Sequence, residues 1–340
     1  MQGLFSQSAY ILVYKAPTLD ELAEVLADFT LVGRTEAPPD GHWALGGASL
    51  VFDHPEGPGR VLVDVVDRKW PDDMGDPVQD PVLFAAWSAG GFGPAVFPGN
   101  LERAGKQAWV WRQASGAVRS HQAFVRLRST FGEDGPPEGH DPKAELLFLT
   151  RLGAAVLSLQ TSLAWFDPSG EAMRPREFVD QALAYHAAEG VPPLDVWTNV
   201  RIGRLTDDWI LMDTVGLGQL GLPDIEACFK SERYTFEEVD TFLRQVAEYV
   251  ADAGDVLSTG DAVPGPKDVT WEVLRAEQGL NAPPRATVRL LPEDGSERTR
   301  QVLDARPMAA VIEAAQAEFA RQQQAETQVA AALKADDGEG

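Results

Sequence analysis

The chain has 340 residues, 44% of them hydrophobic, with nine Trp and fifteen Phe, enough to bury a sizeable core and to fill two domains. Its 52 acidic and 29 basic residues give a formal charge of −23. That balance argues against nucleic acid and against anionic membrane surfaces as partners, since both need basic stripes. A single cysteine, Cys228, excludes an intramolecular disulfide and a multi-cysteine zinc site.

The opening residues, MQGLFSQSAYILVY, place no basic residue ahead of a short apolar run, so a signal peptide is not expected. No apolar run approaches the length of a membrane span. The expected setting is cytoplasmic. Tyr10 to Lys15 is rich in β-formers and predicts a central strand. Thr18, with Glu21 three residues later, spells a capping box, and Leu19, Leu22, Leu26 and Phe29 give the helix one apolar face. A strand over 31–35 follows, then a strand pair over 43–53 and 60–67, joined by a turn-rich HPEGPG.

Residues 82–88, 100–107 and 115–121 predict short helices, and the alternation in 124–131 predicts a half-buried strand. GEDGPPEGHDP is the best internal boundary. Asp141 and Pro142 then open a helix through Leu159. LAWF is a short strand closed by the turn DPSG, and a helix begins at Pro175. Two long strands around a polar turn, a glycine-punctuated corner and a third strand occupy 196–230. The helix capped by Thr235 and Glu238 is predicted to bury Phe236, Val239, Phe242, Leu243, Val246 and Val250, and it stops at Gly254. Strands over 269–274 and 287–291 are read as an appendage, and 308–333 as a helix with a thin apolar stripe.

The fold class that follows is α+β: two halves, each a ferredoxin-like or related α/β sandwich, with mostly antiparallel sheet and a helical C-terminal tail. The expected divisions are 1–131, a linker over 132–141, a second half over 142–264, an extension over 265–335, and a disordered tail over 336–340.

Gly216-Leu217-Gly218-Gln219-Leu220-Gly221 spells GxGxxG after a predicted strand. A dinucleotide loop needs a helix next, to aim its N-terminus at a pyrophosphate. Here Leu222-Pro223 is followed by alternating Asp224, Ile225, Glu226, Ala227, Cys228 and Phe229, a strand pattern with acidic residues. The glycines therefore predict a strand-to-strand corner at positive φ. Cys228, inside that strand, reads as a small inert thiol.

His42, His54, His121, His140 and His186 show no metal-binding spacing and read as structural or solvated. Ser88 lacks the glycine two residues before it that a nucleophile elbow requires. Asp72, Asp73, Asp76 and Asp80 do not match a calcium loop. No cofactor is implied.

Several stretches carry a family resemblance: DPKAELLFLTRLGAAVLSL, LAWFDPSGEAMRP, VWTNVRIGRL, DTVGLGQLGLPDIEA and GDVLSTGDAV. Over about 141–264, and more loosely across the N-terminal half, the chain resembles a bacterial family known as domain of unknown function 4261. The resemblance implies a bacterial origin and an α+β domain. It implies no substrate, cofactor or catalytic residue. Its signature corner falls on Thr214, Gly216, Gly221, Pro223 and Asp224, and the sequence from about 266 is read as lying outside it.

Without a catalytic constellation, the sequence favours a non-enzymatic binding module, adaptor or immunity-like, that holds a basic protein partner through an acidic surface. The alternative is a small-molecule-binding enzyme or sensor with a pocket between the halves, lined by His121, Trp165, Asp213 and Thr214.

Overall fold

The computed structural model describes residues 5–37, 41–54, 57–132 and 135–293. The chain divides into two units. Of the described residues, the first comprises those in 5–76, 80–199 and 215–221, and the second those in 77–79, 200–214 and 222–293.

The first unit holds β1 (Gln7–Val13), α1 (Leu19–Val25), β2 (Leu31–Thr35), β3 (Ser49–Asp53), β4 (Arg60–Val66), α2 (Pro81–Ser88), α3 (Asn100–Gln107), α4 (Ala114–Ser120) and β5 (Ala123–Thr130). It continues with α5 (Pro142–Val156), β6 (Ser162–Asp167), β7 (Ala172–Arg174), α6 (Arg176–Glu189) and α7 (Leu194–Trp197). Its seven strands run in the order β2-β3-β4-β5-β1-β6-β7, and every pairing is antiparallel. β1 sits between β5 and β6 and is antiparallel to both, so β5, α5 and β6 form a split β-α-β unit.

α5 lies on one face of this sheet. It comes close because Gly153 has no side chain: a Cβ there would stand 2.4 Å from the Trp165 ring. The other face carries a core of Tyr10, Leu12, Phe124 and Phe166 packed on Trp70, Trp87 and Phe92. Trp70 meets Phe166 edge-on at 5.1 Å and Tyr10 at 4.7 Å. Asp64 and Arg126 face each other across β4 and β5 and pair at 2.5 Å while wholly buried.

The second unit holds β8 (Asn199–Arg204), β9 (Trp209–Val215), β10 (Asp224–Lys230), α8 (Phe236–Ala253), β11 (Ala262–Pro264), β12 (Thr270–Ala276) and β13 (Thr287–Pro292). Its strand order is β11-β12-β13-β10-β9-β8. β10 and β13 are parallel, whereas β9–β10, β12–β13 and β11–β12 are antiparallel. The predicted appendage strands are therefore integral: β13 lies beside β10. Val239, Phe242, Leu243, Val246 and Val250 of α8 are buried as the periodicity requires. Phe236 is not; as the first helical residue it stands 46% exposed.

The α+β class and the predominance of antiparallel sheet agree with the sequence. The helix expected over 308–333 and the tail over 336–340 lie outside the described residues.

Candidate functional site

Glu226 of β10 stands directly opposite Asp213 of β9. Two carboxylates in register repel each other unless cations intervene, and three arginines do. Arg201 donates Nε to Asp213 Oδ1 at 3.3 Å and a terminal nitrogen to Oδ2 at 2.5 Å. Arg285 bridges Asp213 and Asp224, with Nε 3.0 Å from Asp224 Oδ2. Arg289 donates Nε to Glu226 at 2.6 Å. Thr214 Oγ1 donates to Asp224 at 2.9 Å and accepts from the Ile225 N–H at 2.8 Å.

The segment between β12 and β13 closes over this layer. Asn281 reaches Asp213, the Leu280 N–H reaches Glu226, and Arg201 donates to the Ala282 carbonyl at 2.8 Å. Burial pushes the Asp213 carboxyl up, but Arg201, Arg285 and Asn281 outweigh it and hold its pKa below the usual carboxylate value. Three acids face three arginines. The layer is neutral and satisfied, which makes it a structural clamp.

The other expected site residues are dispersed. Trp165 is wholly buried in the first unit, its Nε1–H donating to the Val196 carbonyl at 3.1 Å. His121, in the same unit, accepts the Trp70 N–H at Nε2, 3.0 Å away, so its proton sits on Nδ1 and goes to the Val118 carbonyl. Burial lowers the His121 pKa and keeps the ring neutral. Pro223 is buried at the entrance to β10.

Gly216 (φ 122°) and Gly221 (φ 73°) flank a short 3-10 turn over Leu217–Leu220. They form the corner that the strand pattern beyond Pro223 predicts. At Gly216 a Cβ would stand 2.7 Å from Gly170 Cα and from the Trp197 carbonyl oxygen, while at Gly170 it would be 1.9 Å from that same oxygen. Three backbone segments cross there, and only glycine fits.

Asp72 caps α3 through the Leu101 and Glu102 N–H groups, and Asp80 caps α2, so these acids serve helix ends. Among the described residues, no group of three His, Cys, Asp or Glu is placed to hold a metal ion, and no helix is long and apolar enough to cross a membrane.

Residues 213–291 match the family model of a domain of unknown function (DUF4261). The DUF4261 match starts at Asp213 and takes in the corner, β10, α8 and the strands through β13. It shares 213–264 with the resemblance read from the sequence. It also continues past Pro266, where that reading placed the chain outside the family. No curated protein and no solved structure matches the chain.

Within the DUF4261 region one surface stands out. Two adjoining recesses of about 440 and 320 Å³ share Phe242, Gln245 and Pro264 and run along one side of α8. From Thr235 to Tyr249 the helix advances about 21 Å. The end nearer the C-terminus of α8 is apolar, lined by Val246, Tyr249, Leu257 and Val263. The other end carries Glu237, Glu238 and Thr241 together with Lys267, whose Nζ lies 3.5 Å from Glu238 Oε2. Phe242 forms the floor and packs at a tilt against Trp271, ring centroids 5.1 Å apart. Tyr249 is 54% exposed, and Glu237, Glu248 and Asp252 are exposed on the same helix. Sequence reading places the buried stripe of α8 but misses this groove, because its second wall, 257–267, is brought alongside only by the fold.

Proposed function

We propose that this is a protein-binding module whose docking surface is the α8 groove, and that its partner contributes a basic amphipathic segment. The observation that supports this reading is an apolar floor beside an exposed aromatic, Tyr249, on a helix rich in acidic residues. Such a groove suits apolar anchors flanked by Lys or Arg, and the charge of −23 steers basic partners towards the protein. A non-enzymatic adaptor or immunity-like protein of the bacterial cytoplasm is the setting that fits. A ferredoxin-like ancestry for the first sheet also fits, supported by the split arrangement of β5, α5 and β6 around β1.

A photocrosslinker at Gln245 tests the reading in lysate of the source organism. It should capture one protein, through a basic segment of that protein, and a crosslinker at exposed Asp20 on α1 should not. Tyr249→Ala should weaken that complex about thirty-fold, as loss of an aromatic anchor does. A crosslink to a second copy of the chain, or one indifferent to Tyr249→Ala, would overturn the proposal.

A further inference from the structure

In the first unit, α3 and α4 form a helical hairpin that is built inside out. The residues that root it in the core are small: Ala104, Ala108, Ala114 and Ala117 are buried in the cluster around Trp70, and Trp111 packs against that cluster. The two helices lie close, since a Cβ on Gly105 would stand 2.8 Å from Val118, and Ser115 Oγ donates to the Gly105 carbonyl at 3.2 Å. At the tip the large side chains are outside. Trp109 is 42% exposed and Val110 52%. Single exposed apolar residues are ordinary, but a Trp and a Val side by side at a loop tip form a patch.

The charge of this hairpin is the reverse of the molecule's. From Arg103 to Gly132 there is no Asp or Glu, in a chain where 52 of 340 residues are acidic. The cations of that run divide by use. Arg126 and Arg128 are buried on Asp64, and Arg103 pairs with Glu171. Lys106 pairs with Glu102 one turn back, but both ends of that pair are well exposed, where an ion pair contributes little. Arg112 and Arg119 are exposed, and among the described residues neither has an ion-pair partner. Lys106 and Arg112 stand three residues either side of Trp109, so even a fully extended chain keeps their Cα atoms within about 11 Å of its own. The nearest carboxylates along the chain, Asp72 and Glu102, sit at the opening turn of α3, the opposite end of that helix from the tip.

The size of an anionic partner then matters. A short acidic segment meets chiefly the tip, because charges more than about 8 Å away are largely screened at 0.15 M salt. An extended anionic surface, a bilayer or a nucleic acid, meets the whole body with its charge of −23 and is repelled. A second copy of the chain brings the same repulsion.

We propose that the tip of this hairpin, Trp109 and Val110 between Lys106 and Arg112, docks an acidic segment of another protein that carries an apolar side chain of its own. The apolar pair supplies contact area, and the flanking cations, with Arg119 on α4, select the sign of the charge. The site takes the opposite charge to that proposed for the α8 groove and does not depend on it.

A photocrosslinker in place of Val110 in the full chain tests it, with acetyl-Glu-Glu-Leu-Phe-Glu-Glu-amide and the same peptide with Lys for each Glu as probes. The acidic peptide should be labelled at about 1 mM or below, and at least about tenfold more than the basic one. Arg112→Glu combined with Arg119→Gln should cut that labelling about tenfold, and Trp109→Ala about fivefold or more. All three side chains are exposed, so the thermal melts should stay close to the parent's. Tyr249→Ala, on α8, should leave the labelling unchanged. Equal labelling of the two peptides, no labelling of the acidic one, or labelling indifferent to the paired arginine changes would overturn the assignment. So would a crosslink to a second copy of the chain, or flotation with phosphatidylserine–phosphatidylcholine vesicles that Trp109→Ala abolishes, since the tip would then serve a copy or a bilayer.

Discussion

Gly216 and Gly221 both hold positive φ, yet they should respond differently to alanine. At Gly221 a Cβ meets nothing within 4 Å, so Gly221→Ala faces only the left-handed backbone, about 1–2 kcal/mol. At Gly216 the same strain is joined by contacts of 2.7 Å with Gly170 and the Trp197 carbonyl, so Gly216→Ala should lose about 3 kcal/mol or more. Urea denaturation of the two variants compares them, and equal losses would rule out the backbone crossing as the reason for glycine. Asp213→Asn leaves Arg201 and Arg285 short of a counter-charge in a buried layer and should cost about 3–5 kcal/mol. Asp167 behaves in the opposite sense. It is wholly buried at the end of β6, and although it accepts from the Gly170 N–H at 2.8 Å, burial pushes its pKa up to about 7. The folded state therefore holds a proton that the unfolded chain has released, and this site loses stability as pH rises from about 4 to about 7. Asp167→Asn keeps the acceptor for Gly170 and removes the penalty. Its melting temperature should exceed that of the parent by more at pH 8 than at pH 5, and a constant difference would argue against a protonated Asp167.

At the scale of elements, α8 opens with a complete capping box: Glu238 N–H to Thr235 Oγ1 at 3.2 Å, and Thr235 N–H to Glu238 Oε2 at 2.8 Å. Thr235→Ala should cost about 1 kcal/mol in a thermal melt. Because the proposed docking groove runs along that helix, the variant should also weaken capture of the proposed partner. The same box at Thr18 and Glu21 caps α1. Both boxes are legible in the sequence because a cap involves four consecutive residues, and the corner at 216–221 is legible because glycine has few uses. The clamp is not: Arg201, Asp213 and Arg285 meet only once β8, β9 and the segment before β13 are assembled. Gln7, whose Nε2 donates to the Gln219 carbonyl 212 residues away at 2.7 Å, could not be placed by any local pattern. Phe236 fails for a related reason, since periodicity names a helix face without saying what stands opposite its first residue.

Across the whole molecule, charge is the dominant fact. With −23 spread over 340 residues, self-repulsion opposes the folded state, and salt should relieve it. The melting temperature should rise from low ionic strength to about 0.15 M salt, whereas capture of the proposed basic partner should weaken over the same range. Acid works through the carboxylates whose folded pKa is depressed. Burial raises the Glu145 pKa, but hydrogen bonds from His54, Ser129 and Ser6 and the charge of His140 outweigh that and hold it below the usual range. Glu145 and Asp213 support the folded state fully above the unfolded carboxyl pKa, and that support is lost as pH falls through their lower folded values. Stability should therefore fall on the acid side as these two buried hubs are protonated.

Cys228 is the chain's single cysteine, and it lies wholly buried on β10, packed with Leu211 and Leu291. Burial pushes its thiol well above the ordinary cysteine pKa, so in the folded protein it is both covered and protonated. An alkylating reagent can then act only while the β10 region is open. The rate of single-site labelling thus clocks the opening of that sheet, with no engineered probe and no second thiol to confuse the signal. A ligand that holds the sheet closed would slow that clock, and a variant of the arginine clamp would speed it up.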